Sequence, residues 1–189
     1  MLAVLATGVL SCAVFSQQAQ ATAIQGNINL AGAVQFNTHS LLTAARVNTW
    51  FDAHGNAGFS SVTSGGTGDF AGIAAGTQAT TAHSWMFNPS TATPGLWSVG
   101  GFTFDLLSST IMAQTTTLLA ISGTGIVSGN GLEPTSMEWM FTTQNAGGRN
   151  LTRFSFSANG VAVPDGGTTV MLLGAALGAL GMARRFLMN

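Results

Sequence analysis

The sequence predicts an all-β fold, an antiparallel β-sandwich or partly open barrel, flanked by an N-terminal signal helix and a C-terminal transmembrane helix. Three observations carry this expectation: apolar and polar residues alternating at period two, turn-forming clusters between the alternating runs, and scarce charge between two apolar ends. Side chains along a strand point alternately to opposite faces, so period two marks a strand with one buried face. Only 6% of residues are charged and none is lysine, against about 25% charged in an average soluble domain.

The longest alternation runs from Ile24 through Gly26, Ile28, Leu30, Gly32 and Val34 to Phe36, with Gln25, Asn27, Asn29 and Gln35 on the opposite face. It predicts one long bent strand or a tight pair. Phe102, Phe104 and Leu106 repeat the pattern after Gly100-Gly101, as do Thr115, Thr117, Leu119 and Ile121, Trp139 with Phe141, and Phe154 with Phe156. Turn clusters separate the runs: Ser64 to Gly68, Asn88-Pro89, Thr93-Pro94-Gly95, Ser128 to Gly131, and Asn145 to Gly148. Helical periodicity is missing from this region, so about eight to ten short strands are expected. Thr22 to Ala162 supplies about 140 residues, enough for one domain with a real core.

Residues 1–21 read as a signal peptide. The apolar run Leu2 to Phe15 is shorter than the roughly 20 residues of a spanning helix, and Ala19-Gln20-Ala21 gives signal peptidase an A-x-A site. Cleavage after Ala21 leaves Thr22 as the mature start. Residues 163–189 form the other end. Thr168 to Ala183 carries no charge and leads into Arg184-Arg185, a basic pair that stops transfer and stays cytoplasmic by the positive-inside rule. Its 16 residues reach about 24 Å as a helix, and flanking residues and bilayer thinning cover the deficit. The domain between the ends is thereby oriented outward. Pro164 disfavours helix at Val163 and Gly166-Gly167 stay flexible, so the segment outside the membrane is extended and accessible to an enzyme groove.

The order Val163-Pro164-Asp165-Gly166-Gly167, then an apolar stretch, then Arg184-Arg185 resembles the VPDSG-CTERM sorting signal, a relative of the PEP-CTERM signals recognised by exosortases. Gly166 stands where Ser is usual. The resemblance implies a bacterial envelope protein whose tail is cut by a multi-pass membrane transpeptidase-like enzyme, commonly in organisms that make extracellular polysaccharide. It speaks to address and processing, with the domain's own role left to residues 22–162.

There the chemistry is sparse. Three arginines face five acids, a net charge of −2, so the clustered cations that nucleic acid requires are lacking. Cys12 lies in the signal segment, leaving the domain neither disulfide nor thiolate. His39, His54 and His83 have no metal-ligand spacing, and no cofactor motif occurs. Asp52 and His54 in Trp50 to Asn56, with Asp69, read as turn chemistry rather than a calcium loop. No G-x-S-x-G elbow is present, and Glu133 and Glu138 give no reason to face each other across a cleft. The catalytic set is therefore empty. Trp50, Trp85 and Trp97 are the candidate sugar contacts, because flat rings cover sugar faces. The expectation is a non-enzymatic, exported envelope or matrix protein for adhesion or assembly, exported as an inner-membrane-anchored precursor. Its partners would be signal peptidase and an exosortase-type enzyme. The alternative is a carbohydrate-binding module for cell-surface polysaccharide.

Overall fold

Strand β1 (Gly26–Phe36) is the long alternating strand that the sequence predicts, with Ile28, Leu30, Val34 and Phe36 turned inward. The structure is a computed structural model that describes residues 22–144 and 152–160. After β1 follow β2 (Arg46–Phe51), β3 (Phe59–Ser64), β4 (Gln78–Thr81), β5 (Trp85–Met86), β6 (Thr93–Val99), β7 (Phe102–Leu106), β8 (Thr110–Gln114), β9 (Leu118–Gly129), β10 (Leu132–Gln144) and β11 (Thr152–Gly160). Two short 3-10 turns, Leu41–Thr43 and Gly68–Phe70, complete the described elements. Among the described residues no helix is long and apolar enough to cross a membrane. The expected signal and transmembrane helices lie outside the described residues.

Eight strands form a ring in the order β1-β3-β4-β6-β7-β9-β10-β11, with β11 pairing back onto β1. Every pairing in the ring is antiparallel. The closing ladder runs from Gly26↔Gly160 to Val34↔Thr152, so the barrel is closed rather than partly open. Closure follows from phase: Phe154, Phe156 and Ala158 point inward opposite Gly32, Leu30 and Ile28, and a one-residue slip would turn the whole row to solvent.

β1 and β9 are longer than the neighbours on one of their edges, so each takes two in succession. β1 pairs β3 through Asn29 to Ala31 and β2 through Ala33 to Phe36; β9 pairs β7 through Gly125 to Gly129 and β8 through Leu119 to Ser122. β5 hangs on β2 by Arg46↔Met86 and Val47↔Trp85. The gap between β8 and the β2–β5 side is held by side chains instead of a ladder. Gln114 Nε2 donates to the carbonyls of Leu41 and Ala44 at 2.8 and 2.7 Å, and the Ser109 N–H donates to Ser90 Oγ at 2.8 Å.

The interior is filled by rings. Trp139 stacks on Phe156 at 5.6 Å, Trp97 on Phe104 at 5.3 Å and Phe141 on Phe154 at 5.5 Å between centroids. Trp85 and Trp50 join them by stacked and edge-on contacts. Such offset and T-shaped pairs add to the burial of the rings themselves.

Two expected segments turn out differently. Thr93-Pro94-Gly95 lies within β6, as a register irregularity with Gly95 at φ 60°, its N–H held by Asp105 Oδ1 at 2.6 Å. Thr115 and Thr117 belong to the β8–β9 turn, where Thr115 Oγ1 accepts the N–H of Leu118 at 3.0 Å; the strand starts at Leu118. The Asn145 to Gly148 turn lies outside the described residues.

Candidate functional site

The polar chemistry of the domain centres on Asp52, where β2 ends. Its carboxylate takes four donors at 2.8 Å: Oδ1 from the N–H groups of His54 and Asn56, Oδ2 from Asn56 Nδ2 and Gln78 Nε2. The Asn56 side-chain amide is the largest influence holding this carboxyl well below the usual carboxylate range, helped by the other three donors and opposed by burial. A carboxylate whose lone pairs are occupied in this way is a turn staple. The same turn closes its backbone through Asp52 N–H to Asn56 O at 3.1 Å, in keeping with the turn chemistry read from the sequence.

Asp69 and Asp105 also hold main chain. Asp69 Oδ2 accepts the Gln25 N–H at 2.7 Å, tying the second 3-10 turn to the residue preceding β1. Among the described residues, no group of three His, Cys, Asp or Glu side chains is gathered for a metal.

Among the described residues, two concavities on the outer wall open where a long strand changes neighbours. The larger, about 1030 Å³, sits where β1 passes from β3 to β2 and is lined by Ala31, Gly32, Ala33, Phe51, His54 and Arg153 among others. Gly32 makes this junction: a Cβ there would lie 2.1 Å from the Phe51 carbonyl oxygen. The smaller, about 470 Å³, sits where β9 passes from β7 to β8, among Ser108, Thr110, Ser122, Thr124, Glu138 and Asn159. Gly123 plays the matching part, since a Cβ would lie 2.0 Å from the Ser108 carbonyl oxygen.

The three candidate sugar contacts are corrected by their burial. Trp50, Trp85 and Trp97 are 3%, 1% and 1% exposed, inside the barrel with Trp139. A sugar needs an open ring face, and these rings spend their faces on one another and on Phe87, Phe104, Phe141 and Phe154. Sequence reasoning passed over Ser60, Gln78 and Thr81, polar residues that the barrel turns inward or onto Asp52; in a chain so rich in Ser, Thr and Gln, nothing local distinguishes them. Ala19, Ala21, Val163, Pro164, Asp165, Gly166, Gly167, Arg184 and Arg185 lie outside the described residues.

The described chain is thus a closed antiparallel β-barrel, followed in sequence by a tail of different character. A family model of the VPDSG-CTERM motif matches residues 162–186, which takes in Val163 to Gly167 and Arg184-Arg185. The chain therefore carries a PEP-CTERM-like exosortase sorting signal near its C-terminus. Such a signal implies a membrane-anchored precursor, processing by an exosortase-type enzyme and export to the cell surface. No curated protein and no solved structure matches the chain.

Proposed function

We propose that the barrel is a non-enzymatic adhesion or assembly domain, delivered to the bacterial surface or matrix by its sorting tail. One observation carries this reading: a continuous, nearly uncharged outer face across β9, β10, β11, β1 and β3. Ser122, Met140, Ser157, Asn29 and Ser64 form one cross-strand row, and Thr124, Glu138, Asn159 and Asn27 form the next. At about 4.8 Å per strand the first row spans about 19 Å. Hydroxyls and amides at this spacing offer hydrogen bonds to an uncharged partner without the desolvation cost of ions.

The test is to place arginine on the face, as Ser122→Arg with Ser157→Arg, in cells that express the full chain. Retention in the matrix fraction should drop while the amount exported stays constant; unchanged retention refutes the role of the face. Delivery is checked separately by mass-mapped termini. Peptides from Met171 to Asn189 should be missing from the mature protein, and substituting Pro164 and Asp165 should leave uncut precursor in the membrane.

A second reading, carbohydrate binding, moves from the tryptophans to the larger concavity. There the half-buried Phe51 and the exposed Arg153 share the lining, on either side of Ala33. Calorimetric titration with neutral and acidic oligosaccharides tests it, and no heat with either refutes it.

A further inference from the structure

The smaller concavity of the outer wall, about 470 Å³, is built on two cross-strand rows. Glu138 on β10 lies between Thr124 of β9 and Asn159 of β11. Met140, two residues on and facing the same way, lies between Ser122 and Ser157. Direct cross-strand neighbours keep their Cβ atoms about 4.5–5.5 Å apart, and a step of two residues along a strand is about 7 Å. The six side chains therefore stand over one patch of about 7 by 10 Å, and all six line the concavity. Its volume falls within the range of small-molecule sites, about 300–1,000 Å³.

Elsewhere the polar side chains of this domain are spent on the protein itself. Asp52, Asp69 and Asp105 each accept main-chain N–H groups, and Asn27 and Asn29 are bonded to Thr67 and Ser64. In the concavity Thr124 is taken, by Ser108 Oγ at 2.9 Å. Among the described residues nothing bonds the side chains of Ser122, Glu138, Ser157 and Asn159. Between them Met140 is 50% exposed. Leu107 and Met112, each within two residues of the lining Ser108 and Thr110, are exposed as well.

Unspent hydrogen-bonding groups around an apolar centre suit a ligand that carries both hydroxyls and C–H surface. Glu138 is the one charged residue in the lining. A lone exposed carboxylate is worth little to a cation in water, and it repels an acidic polymer. To neighbouring hydroxyls it offers two oxygens that only accept, in charge-assisted bonds of the stronger kind.

We propose that this concavity is a subsite for one neutral sugar unit of a polysaccharide. The C–H face of the sugar rests on Met140, adjacent hydroxyls donate to Glu138, and Asn159, Ser122 and Ser157 exchange hydrogen bonds with the remainder. The proposal rests on the reading of the outer face as the contact surface and names what that surface contacts. It is separate from the larger concavity, whose Arg153 stands at the other end of β11 from Asn159.

The experiment is methyl NMR on the full-length chain labelled at methionine Cε, held in a detergent without a sugar headgroup. It is titrated with neutral glucan, mannan and galactan oligosaccharides. At least one series should shift Met140 saturably and leave the exposed Met86 on β5 in place. Glu138→Gln and Asn159→Ala, both at exposed positions, should each weaken that binding by at least about tenfold. No saturable response to any series, an equal response at Met86, or unchanged affinity in either variant overturns the proposal. A response only to 1,6-diaminohexane, abolished by added salt, overturns it too, since the concavity is then a cation site. Loss of matrix retention in the arginine variants with no sugar response overturns the subsite and spares the adhesion reading. A sugar response with unchanged retention supports the subsite and refutes that reading alone.

Discussion

Trp85 is the side chain whose replacement tells most about this barrel. It sits on β5, a strand of two residues with two ladder pairs, yet its ring is 1% exposed and meets four others. Phe87, Trp139 and Phe141 lie at 5.3, 5.4 and 5.4 Å and Trp50 at 6.1 Å. Truncating a buried aromatic to alanine costs about 3–5 kcal/mol, and four ring partners put Trp85→Ala at the upper end, about 5 kcal/mol. A domain stable by about 5–15 kcal/mol is then left marginal. Trp85→Phe behaves differently. It gives up part of the ring contact, about 2 kcal/mol, but removes an indole N–H that is buried without a partner, a relief of about 1–3 kcal/mol. Its net effect should fall within about 1 kcal/mol of zero. Guanidinium unfolding followed by the remaining tryptophans reads both variants. At about 2–6 kcal/mol per molar denaturant, Trp85→Ala should lower the midpoint by at least about 0.8 M, while Trp85→Phe barely moves it. Equal losses in the two variants would refute the reasoning, since they would mean that the N–H, and not the ring, is what the core needs.

Asp52 predicts an acid limb. Its carboxyl is held below the ordinary range when folded, so its contribution is complete above the unfolded value of about 3.9 and is lost as pH falls below that toward the folded value. Asp52→Asn should flatten the decline of thermal stability below about pH 4, measured by calorimetry across that range. Gly125→Ala should destabilise by about 1–3 kcal/mol, read by urea unfolding, because its Cβ would lie 2.2 Å from Phe104 Cζ and 2.7 Å from the Asp105 carbonyl oxygen. Gln114→Leu takes a donor from the carbonyls of Leu41 and Ala44, of which Leu41 keeps the Ala44 N–H, at about 1–3 kcal/mol. Amide exchange should quicken in β8 and in the Leu41–Thr43 turn while the β9–β10 ladder stays protected.

The strands that read clearly from sequence are those whose inward residues keep strict alternation. β1, β7, β10 and β11 show it, with Phe102, Phe104 and Leu106 buried in turn. β2 was not legible, because its inward residues Val47 and Trp50 are three apart. The cause is a register shift between Gln35 and Phe36 on its partner β1, which no local pattern announces. β5 is too short to carry a period at all. For the candidate site the limit is different in kind. Whether Trp50 faces water depends on β2 joining β1 just where β3 leaves it, a pairing between residues distant in sequence. Asp52 was legible as a turn residue because its partners His54 and Asn56 lie within the same loop; its fourth donor, Gln78, lies 26 residues away and was not.

The ladder between the first and last strands of the ring also fixes where the chain enters and leaves. Glu133 donates its N–H to the carbonyl of Thr22 at 3.0 Å, and Ile24 donates to Thr135 Oγ1 at 2.8 Å. Gly160 sits opposite both Gly26 and Met137. Entry and exit therefore share one rim. Gly160 is three residues short of Val163, about 10 Å of extended chain, so an enzyme working at the sorting motif must come almost to the barrel wall. The same ladder that closes the barrel thus decides that its first and last strands begin and end as next-door neighbours on that rim.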